Sequence, residues 1–207
     1  MRSRPSIRHA QALALLLLAT DASASAALLP PASLQTGTLA PFQLMRVANA
    51  ANLSLQILPG DSVTIGGKVS FAVTTRRAGY LILVDVDADG RMSQIFPTPE
   101  LLAQSGGRDV NLLKPGIPFA VPTAAARQRG FEYIVSPPTG AALMVAILSE
   151  RRVQLLDLPD LPRKLQGQAE ALSYLSTWTS ALRVPDEDSG RLMPNAWSFD
   201  VKVYSIR

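Results

Sequence analysis

The chain has 207 residues, no cysteine and a single histidine, His9, so disulfides are excluded and imidazole chemistry is confined to its first residues. Beyond residue 9 that rules out Ser-His-Asp and Cys-His nucleophile pairs, zinc sites built on imidazole or thiolate, and haem ligation by those groups. The formal charge of +4 leans on Arg2, Arg4 and Arg8, and those three belong to a segment expected to be removed.

Arg2, Arg4 and Arg8 precede an apolar run from Ala10 to Ala19, and the small-residue sites Ala22-Ser23-Ala24 and Ala24-Ser25-Ala26 follow it. That order is the three-part pattern of a secretory signal peptide, expected over 1–26. The run is shorter than the ~18 apolar residues of a membrane anchor, so stable membrane anchoring is not expected. Without a cysteine after it, a lipid anchor at an N-terminal Cys is closed as well. Removal of 1–26 lowers the formal charge from +4 to +2, since three arginines and Asp21 leave together. A polyanion-binding footprint goes with them, and no nucleic-acid partner is expected. The compartment expected is the periplasm or the exterior of a bacterial cell.

Residues 27–50 are Pro- and Ala-rich with little charge, and predict a linker or loosely docked arm. From Leu53 the period becomes two. Leu53 to Ile57 alternates and ends at Pro59-Gly60-Asp61, and Lys68 to Thr74 repeats the alternation with Val69, Phe71 and Val73 on one face. Tyr80 to Asp87, apolar on both faces up to Val84, predicts a central strand. Asp87-Ala88-Asp89-Gly90 predicts a hairpin turn returning through Arg91 to Phe96. A polar loop over 98–116 follows, long enough for a compact domain to mark it as a candidate binding loop. Strands are predicted over 117–121, 131–135 and 141–148, with a helical turn capped by Thr123 between the first two.

After Asp160-Leu161-Pro162 the spacing of Leu165, Ala169, Leu172, Leu175, Trp178 and Leu182 predicts an amphipathic helix over 162–183. A polar loop over 185–195 and the alternation from Trp197 to Val203 then predict a closing strand over 197–206. The fold class expected is mainly β: a β-sandwich, or a partly closed barrel, of about eight short strands with one C-terminal amphipathic helix. Residues 51–207 are expected to form a single domain with Trp178 and Trp197 enclosed in one core.

Motifs for the remaining chemistries are missing. None of Lys68, Lys114, Lys164 and Lys202 has a serine three positions earlier, and G-x-S-x-G and G-x-G-x-x-G are absent. Gly60 to Lys68 approaches a phosphate loop, but the spacing is wrong and Val69 stands where Ser or Thr is needed. Two convergent carboxylates are the one catalytic class left open, and no motif points to them. Asp85 to Gly90 matches the first half of a calcium loop, yet Phe96 occupies the position of the bidentate Glu, so a hairpin turn is the expected reading. The basic pairs Arg76-Arg77, Arg127 with Arg129, Arg151-Arg152 and Arg163-Lys164 fall at turns and element ends, where charge is solvated.

Several of these elements recur in order in one family. They are Gly67 to Val73, Gly79-Tyr80-Leu81, Asp87 to Arg91, Ile95-Phe96-Pro97, Val121-Pro122 and Pro138-Thr139-Gly140. From Gly66 to Leu155 the chain resembles the bacterial domain of unknown function 4384. Thr98 departs from the Asn that often follows Phe-Pro in that family. The resemblance implies an accessory, non-enzymatic module, and no catalytic partner domain accompanies it here. No catalytic, cofactor-binding or metal-ligating residue is therefore assigned, and no cofactor is expected. The function expected is a protein–protein contact with an envelope partner. The alternative is binding of a small ligand or glycan through the loop 98–116.

Overall fold

Period-two patterning becomes strand wherever it was read. The computed structural model describes residues 48–106, 108–158 and 167–207. Within them β1 is Ser54–Leu58, β2 Ser62–Val63, β3 Lys68–Thr74, β4 Gly79–Val86 and β5 Met92–Phe96. Helix α1 is Pro99–Gln104, followed by β6 Leu112–Leu113, β7 Phe119–Val121, α2 Ala124–Gln128, β8 Tyr133–Ile134 and β9 Gly140–Ser149. The chain continues as α3 Gln168–Ala181, β10 Arg183–Pro185, β11 Leu192–Pro194 and β12 Trp197–Ile206. All eight expected strands are present, and β2, β6, β10 and β11 are added. The signal 1–26 and nearly all of the arm 27–50 lie outside the described residues.

Two sheets face each other. One carries β1, β3 and β7 side by side, with β8 also paired to β3; the other runs β2-β12-β9-β4-β5, with β6 paired to β4. Strands belong to separate sheets, so the sandwich holds and no barrel closes. Between the sheets lies a core of Leu55, Ile57, Phe71, Val73, Leu81, Leu83, Phe96, Val121, Met144, Leu148, Tyr204 and Ile206. Alternate residues of the large sheet, Ile82, Val84, Val86, Leu143, Val145, Ile147, Phe199 and Val201, point the other way and pack on Ala171, Leu172 and Leu175 of α3. The expected single core is two cores, one on each face of the same sheet. Strands β4 and β9 are continuous apolar runs because both of their faces are covered.

The helix is shorter and rotated relative to expectation. It starts after the extended N-cap Gly167, and its buried residues are Ala171, Leu172, Leu175 and Thr179, while Ala169 is exposed. The expected start at 160–162 and Leu165 fall outside the described residues. Trp178 and Trp197 pack against the helix-side core but stay half-buried. The loop 98–116 is not featureless. Thr98 Oγ1 accepts from the Leu101 N–H at 3.2 Å to cap α1, and Asn111, fully buried, donates from Nδ2 to the carbonyls of Leu81 and Val153. The polar segment 185–195 closes the β10–β11 hairpin.

The polar residues of β12 are not solvated either. Ser198 Oγ accepts from the Ala51 N–H at 3.0 Å, and Asp200 Oδ2 from the Leu55 N–H at 2.8 Å. These bonds tie β1, in the small sheet, and the residues just before it to β12 of the large one.

Candidate functional site

At one end of the sandwich the sheets part and leave a pocket of about 490 Å³. That is within the ~300–1,000 Å³ typical of small-molecule sites. Its walls come from both sheets: Ile57 of β1, Val69 and Phe71 of β3, Ile95 of β5, Tyr133 and Ile134 of β8, Met144 of β9 and Ile206 of β12. Asp85, Asp87, Arg91, Ser93 and Tyr204 add polar groups. None of the described residues of 98–116 lines it, so the described part of the loop expected to bind a ligand does not form this pocket.

The alternation of β4 explains why a carboxylate stands there. Leu81, Leu83 and Asp85 share the inward face, and Asp85 comes where the apolar filling stops. Its Oδ1 accepts from the Tyr204 O–H at 2.7 Å, across the sheet from β12. Burial raises the Asp85 carboxyl above its ordinary value; the Tyr204 hydrogen bond opposes that shift and the neighbouring Asp87 adds to it. Tyr204 is itself raised, by burial first and then by the charge of Asp85. Tyr133, pushed up to about 12 by burial, donates its O–H to the Ile95 carbonyl at 2.8 Å and meets Phe71 edge to face at 5.9 Å.

Asp87 is used differently. Its Oδ1 accepts the N–H groups of Asp89 and Arg91, both at 2.9 Å, while its backbone N–H donates to the Arg91 carbonyl at 3.0 Å. Gly90, at φ +80°, completes the hairpin in a left-handed conformation that suits glycine. The half-calcium-loop pattern is thus split: Asp85 faces the inter-sheet pocket and Asp87 builds the turn. Arg91 lies 3.3 Å from Asp89 and 3.8 Å from Asp87.

A second, shallower depression of about 250 Å³ includes Tyr80, Arg151, Arg152 and Asp186. Both of its arginines are already paired. Arg151 bonds Asp186 at 2.7 Å, and Arg152 bonds Asp109 at 2.6 Å. The Arg151 bond, with those of Ser189, holds the Asp186 carboxyl down at about 2. Of the other basic pairs, Arg76-Arg77 and Arg127 with Arg129 are exposed at a turn and a helix end, and Arg163-Lys164 lies outside the described residues. No described helix is long and apolar enough to cross a membrane.

Sequence reasoning noticed Asp85 and Asp87 only as turn or calcium residues, and missed Tyr133, Tyr204 and the pocket itself. Its motif residues do have structural places. A side chain at Gly79 would come within 2.7 Å of the Ser149 carbonyl oxygen, so β4 and β9 can approach there only over glycine. Phe96 and Val121 are buried between the sheets, and Thr98 is a helix cap, a role that Asn fills equally well.

No curated protein and no solved structure matches the chain significantly. One family model does, described as Domain of unknown function (DUF4384), over residues 62–152. With the hairpin, the motif glycine and the buried Phe96 and Val121 all in that span, residues 62–152 are a domain of the DUF4384 family.

Proposed function

We propose that the protein is an exported, non-enzymatic module of the bacterial envelope that holds a small organic ligand in the pocket between its sheets. The pocket carries this reading: a cavity of about 490 Å³ with apolar walls and a few convergent polar groups, the usual form of a ligand site. Export rests on the tripartite N-terminal pattern. The non-enzymatic reading is supported by the single desolvated acid, Asp85, since the second acid at the pocket is engaged by turn amides. A small ligand ranks ahead of a purely protein–protein role because the broad apolar face of the large sheet is already covered by α3.

The test is ligand-induced stabilisation. A compound at 100 times its Kd adds roughly 2.7 kcal/mol, which a thermal melt detects. Val69→Trp fills the pocket from its wall. The expected result is a set of compounds that raise the melting temperature of the native chain and lose the effect in that variant. Stabilisation that persists in Val69→Trp, or a screen without a single binder, rejects the reading.

A further inference from the structure

We infer that the ligand is an amphipathic organic cation, seated with its ammonium or guanidinium end on Asp85 and its apolar end between the sheets. The inference rests on the pocket reading above and adds the charge. Among the described residues, no Lys or Arg lies within ion-pair distance of Asp85. Only one of its oxygens has a protein partner, the Tyr204 hydroxyl. Half-buried, Asp85 is only partly hydrated, and a carboxylate so placed gains from a counter-charge or several donors; here it has a single neutral donor.

The groups facing Asp85 come from every neighbouring element, and none supplies the missing charge. Tyr204 on β12 is neutral and already donates to it. Tyr133 on β8 gives its proton to the Ile95 carbonyl. Arg91, at the start of β5, is two-thirds exposed and sits between Asp87 and Asp89. With Asp85, Asp87 and Arg91 on the lining, the pocket carries a net charge of −1, which repels an anion. A neutral polyol fits poorly, because most of the wall is apolar and the hydroxyl of Tyr133 and Asp87 Oδ1 are engaged. An alkylammonium or arylalkylammonium satisfies both halves: three N–H donors for the free carboxylate oxygen, and an apolar body against Phe71, Met144 and Ile206.

Three probes of one shape separate the possibilities: hexylammonium, hexanol and hexanoate, each titrated calorimetrically into the native chain and into Asp85→Asn. The expected result at neutral pH is hexylammonium about tenfold or more tighter than hexanol, with hexanoate weakest. In Asp85→Asn the ammonium preference over hexanol disappears, with circular dichroism reporting that the variant is folded. In the native chain, ammonium affinity falls as acid protonates Asp85, and hexanol affinity does not. Equal binding of hexylammonium and hexanol, or a preference that survives Asp85→Asn, overturns the charge assignment and leaves the pocket reading standing. If none of the three probes binds the native chain, the pocket reading fails and the inference fails with it.

Discussion

Asp85 works against the fold it belongs to. Its carboxyl is held above the ordinary 3.8 chiefly by burial, so folding favours the protonated form more than the unfolded chain does. Its contribution to stability is complete below the unfolded value near 3.8 and is lost as pH rises through the folded value. Asp85→Asn has no such loss. The variant should therefore melt above the wild type at pH 7, and the gap should close as pH falls toward 4; paired thermal melts across that range check both the sign and the window. A neutral-pH melt below wild type would show that the carboxylate is stabilising. Gly79 makes the opposite kind of prediction. Gly79→Ala sets a methyl against a backbone carbonyl of β9, and overpacking of this kind costs ~1–3 kcal/mol, measurable by denaturant unfolding. Some of this was legible in the sequence. The glycine preceding a β run and the Asp-Gly turn have local signatures, and both were read. The Asp85–Tyr204 bond joins residues 119 positions apart, and nothing in the spacing of either residue announces the other.

Among the elements, α3 and β12 show where pattern reading succeeds and where it stops. A helix was expected from its apolar spacing, and one is present. The stripe runs as expected through Leu172, Leu175 and the half-buried Trp178, but Ala169 is exposed and the sheet takes Ala171 and Thr179 as well. Thr179 is buried because its hydroxyl bonds the Leu175 carbonyl at 2.7 Å, a local solution that a count of apolar residues misses. Leu175→Ala should cost ~2–5 kcal/mol, the range for a fully buried leucine. Since α3 covers the face of the large sheet opposite the pocket, binding of hexylammonium by the folded variant should be unaltered. Calorimetry on Leu175→Ala at a temperature where it remains folded tests that separation of stability from binding. β12 was read as half-buried, since Ser198, Asp200 and Lys202 alternate with its apolar residues. Its polar face turned inward because Ser198 and Asp200 find N–H donors on the chain around β1. The two-residue strands β2, β6 and β8 are too short to show any period, so β2 and β6 went unread and β8 was placed only within a longer expected strand.

For the molecule as a whole, the family match and the folded unit have different boundaries. Residues 62–152 contain β2 through β9, but β12 stands between β2 and β9, and β1 flanks β3 in the facing sheet. Tyr204 and Ile206, at the end of β12, also complete the pocket. Residues 62–152 produced alone should fail to fold cooperatively, whereas the chain from residue 27 onward should melt in a single transition. Circular dichroism of the two proteins distinguishes them, and a cooperative melt of the short piece would make β12 an accessory. The insertion of β12 also has a consequence in time. Ser62 pairs with Ser205, so the parallel contact between β2 and β12 spans nearly the entire described chain. Contacts at such separations come late and slow folding. During synthesis the large sheet lacks β12, and β2 has no partner in it, until the final described strand has left the ribosome. If the N-terminal segment directs the chain across a membrane, the polypeptide reaches the translocation channel before it can close around its core. In that case topology itself keeps export and folding in sequence.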